Sequence, residues 1–162
     1  MSDFSQNVDI SNFLKRNHVA VLATADRQTG QPYAAAVFYA IDPHLNIYFL
    51  TKDKTTKSRN LALNPLAAIA VYEPGTQRTA QIMGQVNKVN NKDMLDKALP
   101  LMSKISKQTS GTETTPISRL EAGEYILYRL VPQSIRLGDY KYGVKDEIFE
   151  TANPAEESLE NY

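Results

Sequence analysis

Short apolar runs alternate with Gly- and Pro-bearing turns in this chain, and that alternation constrains the fold more than any other feature. HVAVLATAD (residues 18–26) is β-branched and largely apolar, and suits a buried strand. RQTGQP (27–32) is a turn by its Gly and Pro. YAAAVFYAI (33–41) follows as a second strand, DPHLN (42–46) turns again, and NIYFL (46–50) is a third. Connections this short join antiparallel neighbours, so residues 19–51 read as a three-stranded meander.

The same logic extends in both directions. Ile10, Phe13 and Leu14 share one face of a short helix over Asp9–Leu14. LAAIAVY (66–72) reads as a fourth strand and residues 79–89 as a fifth, in which Gly84 marks a bulge or a close backbone approach. Asn90 or Asn91 caps a longer helix carrying Met94, Leu95, Ala98, Leu99, Met102 and Ile105 at helical spacing. Pro100 within it predicts a kink or a division into two helices. KQTSGTETT (107–115) reads as a mobile loop. EYILYRLV (124–131) is a sixth strand, which Pro132 breaks before 134–137 continue the sheet, and 144–150 form an edge strand. The expected fold is mainly β with added helices: an antiparallel barrel of six to seven strands in one domain, residues 1–150. The acidic tail, 151–162, is expected to fray.

Composition removes several functions. With no Cys there is no thiolate metal site, disulfide or Cys nucleophile, and the chain suits a reducing cytoplasm. Its two His make a His-based metal site unexpected. Lys and Arg number 18, as do Asp and Glu, so the zero net charge argues against a nucleic-acid binder. No run approaches the length of a membrane-spanning helix, and the first residues lack the pattern of a signal peptide. His18, His44, Glu121 and Glu124 have no partner pattern, so no catalytic acid or base is named. The tyrosines at 33, 39, 48 and 72 read first as strand packing.

One stretch stands out chemically. TKDKTTKSRNLALNP (51–65) gathers Lys52, Lys54, Lys57 and Arg59 among four hydroxyl residues at the end of a strand. A helix of about two turns over 55–63 fits it, ended by Asn64-Pro65 because a residue before Pro avoids the α region. Free N–H groups at a helix start attract anions. Thr55, Thr56 and Lys57 fall at that start, where hydroxyls and an ammonium can donate to phosphate oxygens. The bland alternative is a solvated loop with Thr55 as a simple N-cap.

The ordered set Gly30-Gln31-Pro32, then Thr51-Lys52-Asp53-Lys54-Thr55-Thr56-Lys57, then Asn64-Pro65, resembles the flavin-binding split-barrel family that includes pyridoxamine 5'-phosphate oxidase. TAQIMG (79–84) and LVPQSIRLGDYKYG (130–143) fit the later strands of that pattern. The resemblance implies FMN, with its phosphate at Lys57, Thr55 and Thr56. It implies a ring lying along Ala36, Val37 and Phe38, with Thr51 beside it and Thr79 on the far wall. It also implies a homodimer and a flavin-dependent oxidoreductase acting on a small substrate. A flavin- or haem-binding sensor, or a cofactor-free scaffold, is the alternative on the same fold. The oxidases carry an Arg on the second strand, where this chain has Ala35 and no Lys or Arg between Gln31 and Thr51. They have Arg where Thr56 stands, and a Trp near the end, whereas this chain has no Trp. Oxidation of pyridoxamine phosphate itself is therefore not expected, and the plan is nearer to shorter bacterial relatives.

Overall fold

The computed structural model describes residues 2–141, 143 and 145–150, with side chains described for 8–141 and 143. The order is α1 (Ser2–Arg16), β1 (Val19–Ala25), β2 (Pro32–Phe38), β3 (Ala40–Ile41), β4 (Ile47–Lys52), α2 (Thr56–Leu63), β5 (Leu66–Glu73), β6 (Arg78–Lys88), α3 (Lys92–Ser110), a 3-10 turn (Pro116–Arg119), β7 (Tyr125–Asp139) and β8 (Lys145–Glu150). Seven strands follow one antiparallel path, β2-β1-β5-β6-β7-β4-β3, and β8 adds to β7 off that path. The tail, 151–162, lies outside the described residues.

The expected second strand is two strands. Residues 32–38 pair with β1, then the chain leaves that ladder at Tyr39 and residues 40–41 pair with β4. Because β2 and β3 stand at opposite ends of the path, the single residue between them joins the two ends, and the twisted sheet curls into a split barrel. Tyr39 is fully buried at this seam, where its N–H donates to the His18 carbonyl and its hydroxyl to the Leu14 carbonyl. The expected meander is corrected accordingly: β4 lies beside β7, not beside β2. The β3–β4 turn is held by the buried Asp42 carboxylate. It accepts from the backbone N–H groups of His44 and Asn46, from the Asn46 amide and from the Tyr48 hydroxyl. Burial and the neighbouring carboxylate push that hydroxyl up to about 12.

Alternation places the core. In β1, Ala20, Leu22 and Thr24 face inward while Val19, Val21 and Ala23 face out. Ile10, Phe13 and Leu14 of α1 pack with Leu22, Ile69 and Ile82 in the main core. The helix is longer than the expected Asp9–Leu14 and is clamped to the sheet. Arg16 and Arg78 lie over Phe13 at 5.2 and 5.5 Å and bond Glu73 and Asp9.

A second core lies outside the barrel. Met94, Ala98, Met102 and Ile105 of α3 pack on Tyr48, Leu50 and Leu127. This helix is not divided at Pro100: it runs on through Ser110, into the expected loop, and ends at Gly111 with φ 77°. Asn91 caps its start. Pro100 is exposed, so the carbonyl one turn before it (Asp96) faces water, which softens the loss of a hydrogen bond. β7 likewise runs through Pro132, which sits where the β6–β7 register shifts between Met83 and Gly84. A bulge tolerates the missing N–H. Gly84 is the close approach foreseen, since a Cβ there would lie 2.1 Å from the Val131 carbonyl oxygen.

Candidate functional site

The site is built at the start of α2. Thr55 is the N-cap: its hydroxyl accepts from the Ser58 N–H at 3.4 Å and donates to the Lys52 carbonyl at 2.8 Å. The Ser58 hydroxyl donates to the same carbonyl, and the Thr51 hydroxyl lies 3.1 Å from that of Thr55. Further along α2, the Asn60 amide donates to the Thr24 hydroxyl of β1, and Leu61 enters the core. These ties fix which face of the short helix is buried, and Lys57 is on it.

Lys57 is 8% exposed. Among the described residues its ammonium has no carboxylate partner and no hydrogen-bond acceptor, and desolvation pulls it below the ordinary lysine range. The group is tolerated because it opens onto a cavity of about 460 Å3 on the outer side of the barrel. Ala36, Val37 and Phe38 of β2, with Val19 and Leu50, form one wall. Met102, Thr109 and Ser110 of α3 and the segment of Thr115, Pro116, Ile117 and Leu120 form the other. Among the described residues, Lys57 is the one charged residue on either wall. One cation at the end of an otherwise apolar slot suits a ligand with one anionic group and a flat apolar body.

The second wall is fastened by the residues that precede α2. Lys52 Nζ donates to the Leu120 carbonyl at 2.6 Å and lies over the Tyr125 ring at 5.1 Å. Lys54 N–H donates to the Ala122 carbonyl, and Asp53 exchanges bonds with Glu124. Gly123, at φ 88°, leaves no room for a Cβ, which would lie 1.8 Å from the Asp53 carboxylate.

Four of the residues singled out from sequence meet on the cavity: Lys57, Ala36, Val37 and Phe38. Thr51 and Thr55 lie beneath the helix start with their hydroxyls engaged. Thr56, the first residue of α2, accepts from Arg59. Thr79 pairs with Tyr72 and Gly138 on β6 and is not among the cavity residues. The wall from α3 and the 3-10 turn was not singled out from sequence. Met102 showed only as one member of a helical stripe, and Thr115 to Leu120 carried no signal. No cluster of metal-ligating side chains occurs among the described residues, and none of their helices is long and apolar enough to cross a membrane.

Residues 9–135 match the family described as pyridoxamine 5'-phosphate oxidase. The chain is 30% identical over 117 residues to the pyridoxine/pyridoxamine 5'-phosphate oxidase of Pseudomonas paraeruginosa, covering 71% of this chain and 52% of that protein. It thus spans about half the length of the curated relatives it matches. Among solved structures it resembles a pyridoxamine 5'-phosphate oxidase-related, FMN binding protein from Nostoc punctiforme, with a TM-score of 0.56, 14% identity and coverage of 93% of this chain and 96% of that one. It also resembles a heme binding protein from Mycobacterium smegmatis, with a TM-score of 0.61, 18% identity and coverage of 90% and 56%. At these identities the likeness to the two structures is one of fold, the split barrel.

Proposed function

The chain belongs to the pyridoxamine 5'-phosphate oxidase family, and on that premise we propose that it binds FMN in the Lys57 cavity and acts as a flavin-dependent oxidoreductase on a small molecule. The observation that carries this reading is Lys57, a buried residue whose ammonium, unpaired among the described residues, opens onto one end of a largely apolar slot. Such a group is costly unless an anion compensates it. A phosphate monoester is that anion, and the N–H groups at the start of α2 add to its binding. Ala36 leaves space beside the β2 backbone for a flat ring, with Phe38 and Leu50 as apolar contacts.

Hydride chemistry comes with the flavin. The chain's part is to hold the phosphate, orient the ring and keep water from it with the wall fastened by Lys52 and Asp53. Because Lys57 is the one cation on the cavity walls among the described residues, a substrate bearing a second phosphate finds no second counter-charge among them. Pyridoxamine phosphate is accordingly not the substrate proposed. The chain is also proposed to work as a homodimer. Val19, Val21, Ala36, Ala70, Tyr72 and Met83 lie exposed on the outer sheet face. Val19 and Ala36 belong both to this face and to the cavity, so a second copy seated there would cover the slot.

Quenching of FMN fluorescence tests the reading. Lys57→Ala is expected to weaken FMN by about 1.5–3 kcal/mol, the scale of a charge-assisted hydrogen bond, and to leave riboflavin unchanged. Protein that fails to quench micromolar FMN refutes it. A second reading, haem, is favoured by one feature: Met102, a buried thioether on the cavity wall, would supply a ligand to the iron. A Soret band on mixing with haem, lost in Met102→Leu, would select it.

A further inference from the structure

A lysine attacks a carbonyl carbon only as the neutral amine, so the lysines of this chain differ as nucleophiles according to what surrounds them. Lys92 and Lys107 donate to the carboxylates of Asp96 and Glu113, and each pairing raises the lysine's pKa and keeps it an ammonium. Lys52 donates to the Leu120 carbonyl. Lys57 has the opposite surroundings. It is 8% exposed, no carboxylate pairs with it among the described residues, and desolvation moves its pKa downward. Burial of this kind favours the amine over the ammonium.

The cavity it opens onto has walls suited to an uncharged ring. Val37, Phe38 and Leu50 line one side, and Met102, Ile117 and Leu120 the other. The hydroxyls of Thr109 and Ser110 on the second wall donate to the Ile105 and Ser106 carbonyls of their own helix. Lys57 Nζ is therefore the strongest nucleophile among the described residues of the cavity.

We propose that Lys57 captures neutral aromatic aldehydes as an imine, with the ring held between the β2 and α3 walls. The ammonium first gives one proton to solvent. Nζ then attacks the carbonyl carbon, and the carbinolamine loses its hydroxyl. One C=N bond replaces the C=O bond, the carbonyl oxygen leaves as water with the two remaining Nζ hydrogens, and no oxidant or reductant is consumed. Burial favours the product, because an imine is less basic than a primary amine and carries no charge in the cavity. The apolar walls also hinder the water that would hydrolyse it. An aldehyde bearing a carboxylate does the reverse: it pairs with the ammonium and holds the proton in place. The reacting atom belongs to α2, off the sheet face on which a second copy would seat, and capture does not depend on FMN being the cavity's ligand.

The probes are 2-naphthaldehyde, flat and neutral, and glyoxylate, small and anionic. Each is added to the full-length apoprotein with cyanoborohydride, which fixes an imine as a stable amine, and peptide mass spectrometry reads the labelling rate at every lysine. With naphthaldehyde, Lys57 is expected to react roughly tenfold faster than exposed Lys54, Lys97 and Lys104, and its rate should saturate because the ring binds before it reacts. Glyoxylate should show no preference for Lys57. Leu120→Ser, which trims an exposed side chain of the cavity wall, should raise the half-saturating naphthaldehyde concentration about three- to tenfold and leave Lys97 and Lys104 labelling unmoved. Labelling of Lys57 no faster than that of the exposed lysines, a rate that stays linear in naphthaldehyde, or an equal preference for Lys57 with glyoxylate would each overturn the proposal.

Discussion

Replacing Lys57 by Met should make the ligand-free protein more stable while abolishing its advantage from FMN. Lys57 is 8% exposed, so its aliphatic stem is packed, and Met keeps most of those contacts at similar volume. What Met removes is an ammonium taken out of bulk water with no partner among the described residues. Full desolvation of a charge costs many kcal/mol, but this one opens onto a cavity and keeps part of its hydration. A gain of about 1 kcal/mol follows, or roughly 2–4 °C in Tm for a domain of this size. The sign also shows in pH. The folded-state pKa lies below 10.5, so the unfolded chain binds more protons in the window between the two values. The penalty is therefore fully present below the folded pKa and fades as pH rises toward 10.5, where wild type and variant converge. Thermal melts with and without FMN measure both effects. At roughly a hundredfold excess over Kd, FMN should stabilise wild type by about 2.7 kcal/mol and the variant far less. A Lys57→Met protein that melts lower than wild type without ligand would refute the unpaired-cation argument. So would a difference between the two that stays constant up to pH 10.5.

Gly84→Ala should cost about 3 kcal/mol, because its Cβ would meet backbone, not a movable side chain, and β6 or β7 must shift at the bulge. Urea melts should show a lower midpoint with unchanged slope, and a loss under roughly 0.5 kcal/mol would rule out the close approach. Glu73 sits near a pKa of about 2, below its ordinary 4.5, chiefly through the Arg16 hydrogen bond and then those of Thr76 and Asn17. Its contribution is thus present above pH 4.5 and is lost as pH falls from there toward 2. Glu73→Gln should flatten the acid limb of stability in that window, and an unchanged limb would count against the clamp.

What was legible in the sequence was local. Thr55 at an N-cap and Asn64 before Pro65 bracket α2, because capping and the restriction before proline act within a few residues. Inward and outward alternation in β1 and β6 follows from the period of two. What was hidden depended on partners far along the chain. Nothing within residues 33–41 says that the run must split at Tyr39, since the split arises from which strand waits at each edge of the curled sheet. Pro100 and Pro132 fail as breakers because one faces solvent and the other meets a bulge on a neighbouring strand.

Lys52 and Lys57 show the same division within one stretch. By type they are identical, and both stand among hydroxyl residues. Lys52 is the last residue of β4, and its ammonium is engaged by the Leu120 carbonyl and the Tyr125 ring, some seventy residues away. Lys57 lies one position past the helix start, turned inward by the anchoring of Asn60 and Leu61, and among the described residues its ammonium has no partner and opens onto the cavity. One cation therefore closes the slot and the other is left to charge it. If that division is right, Lys52→Met should loosen the wall and raise FMN dissociation and association rates together, whereas Lys57→Met should act mainly on dissociation.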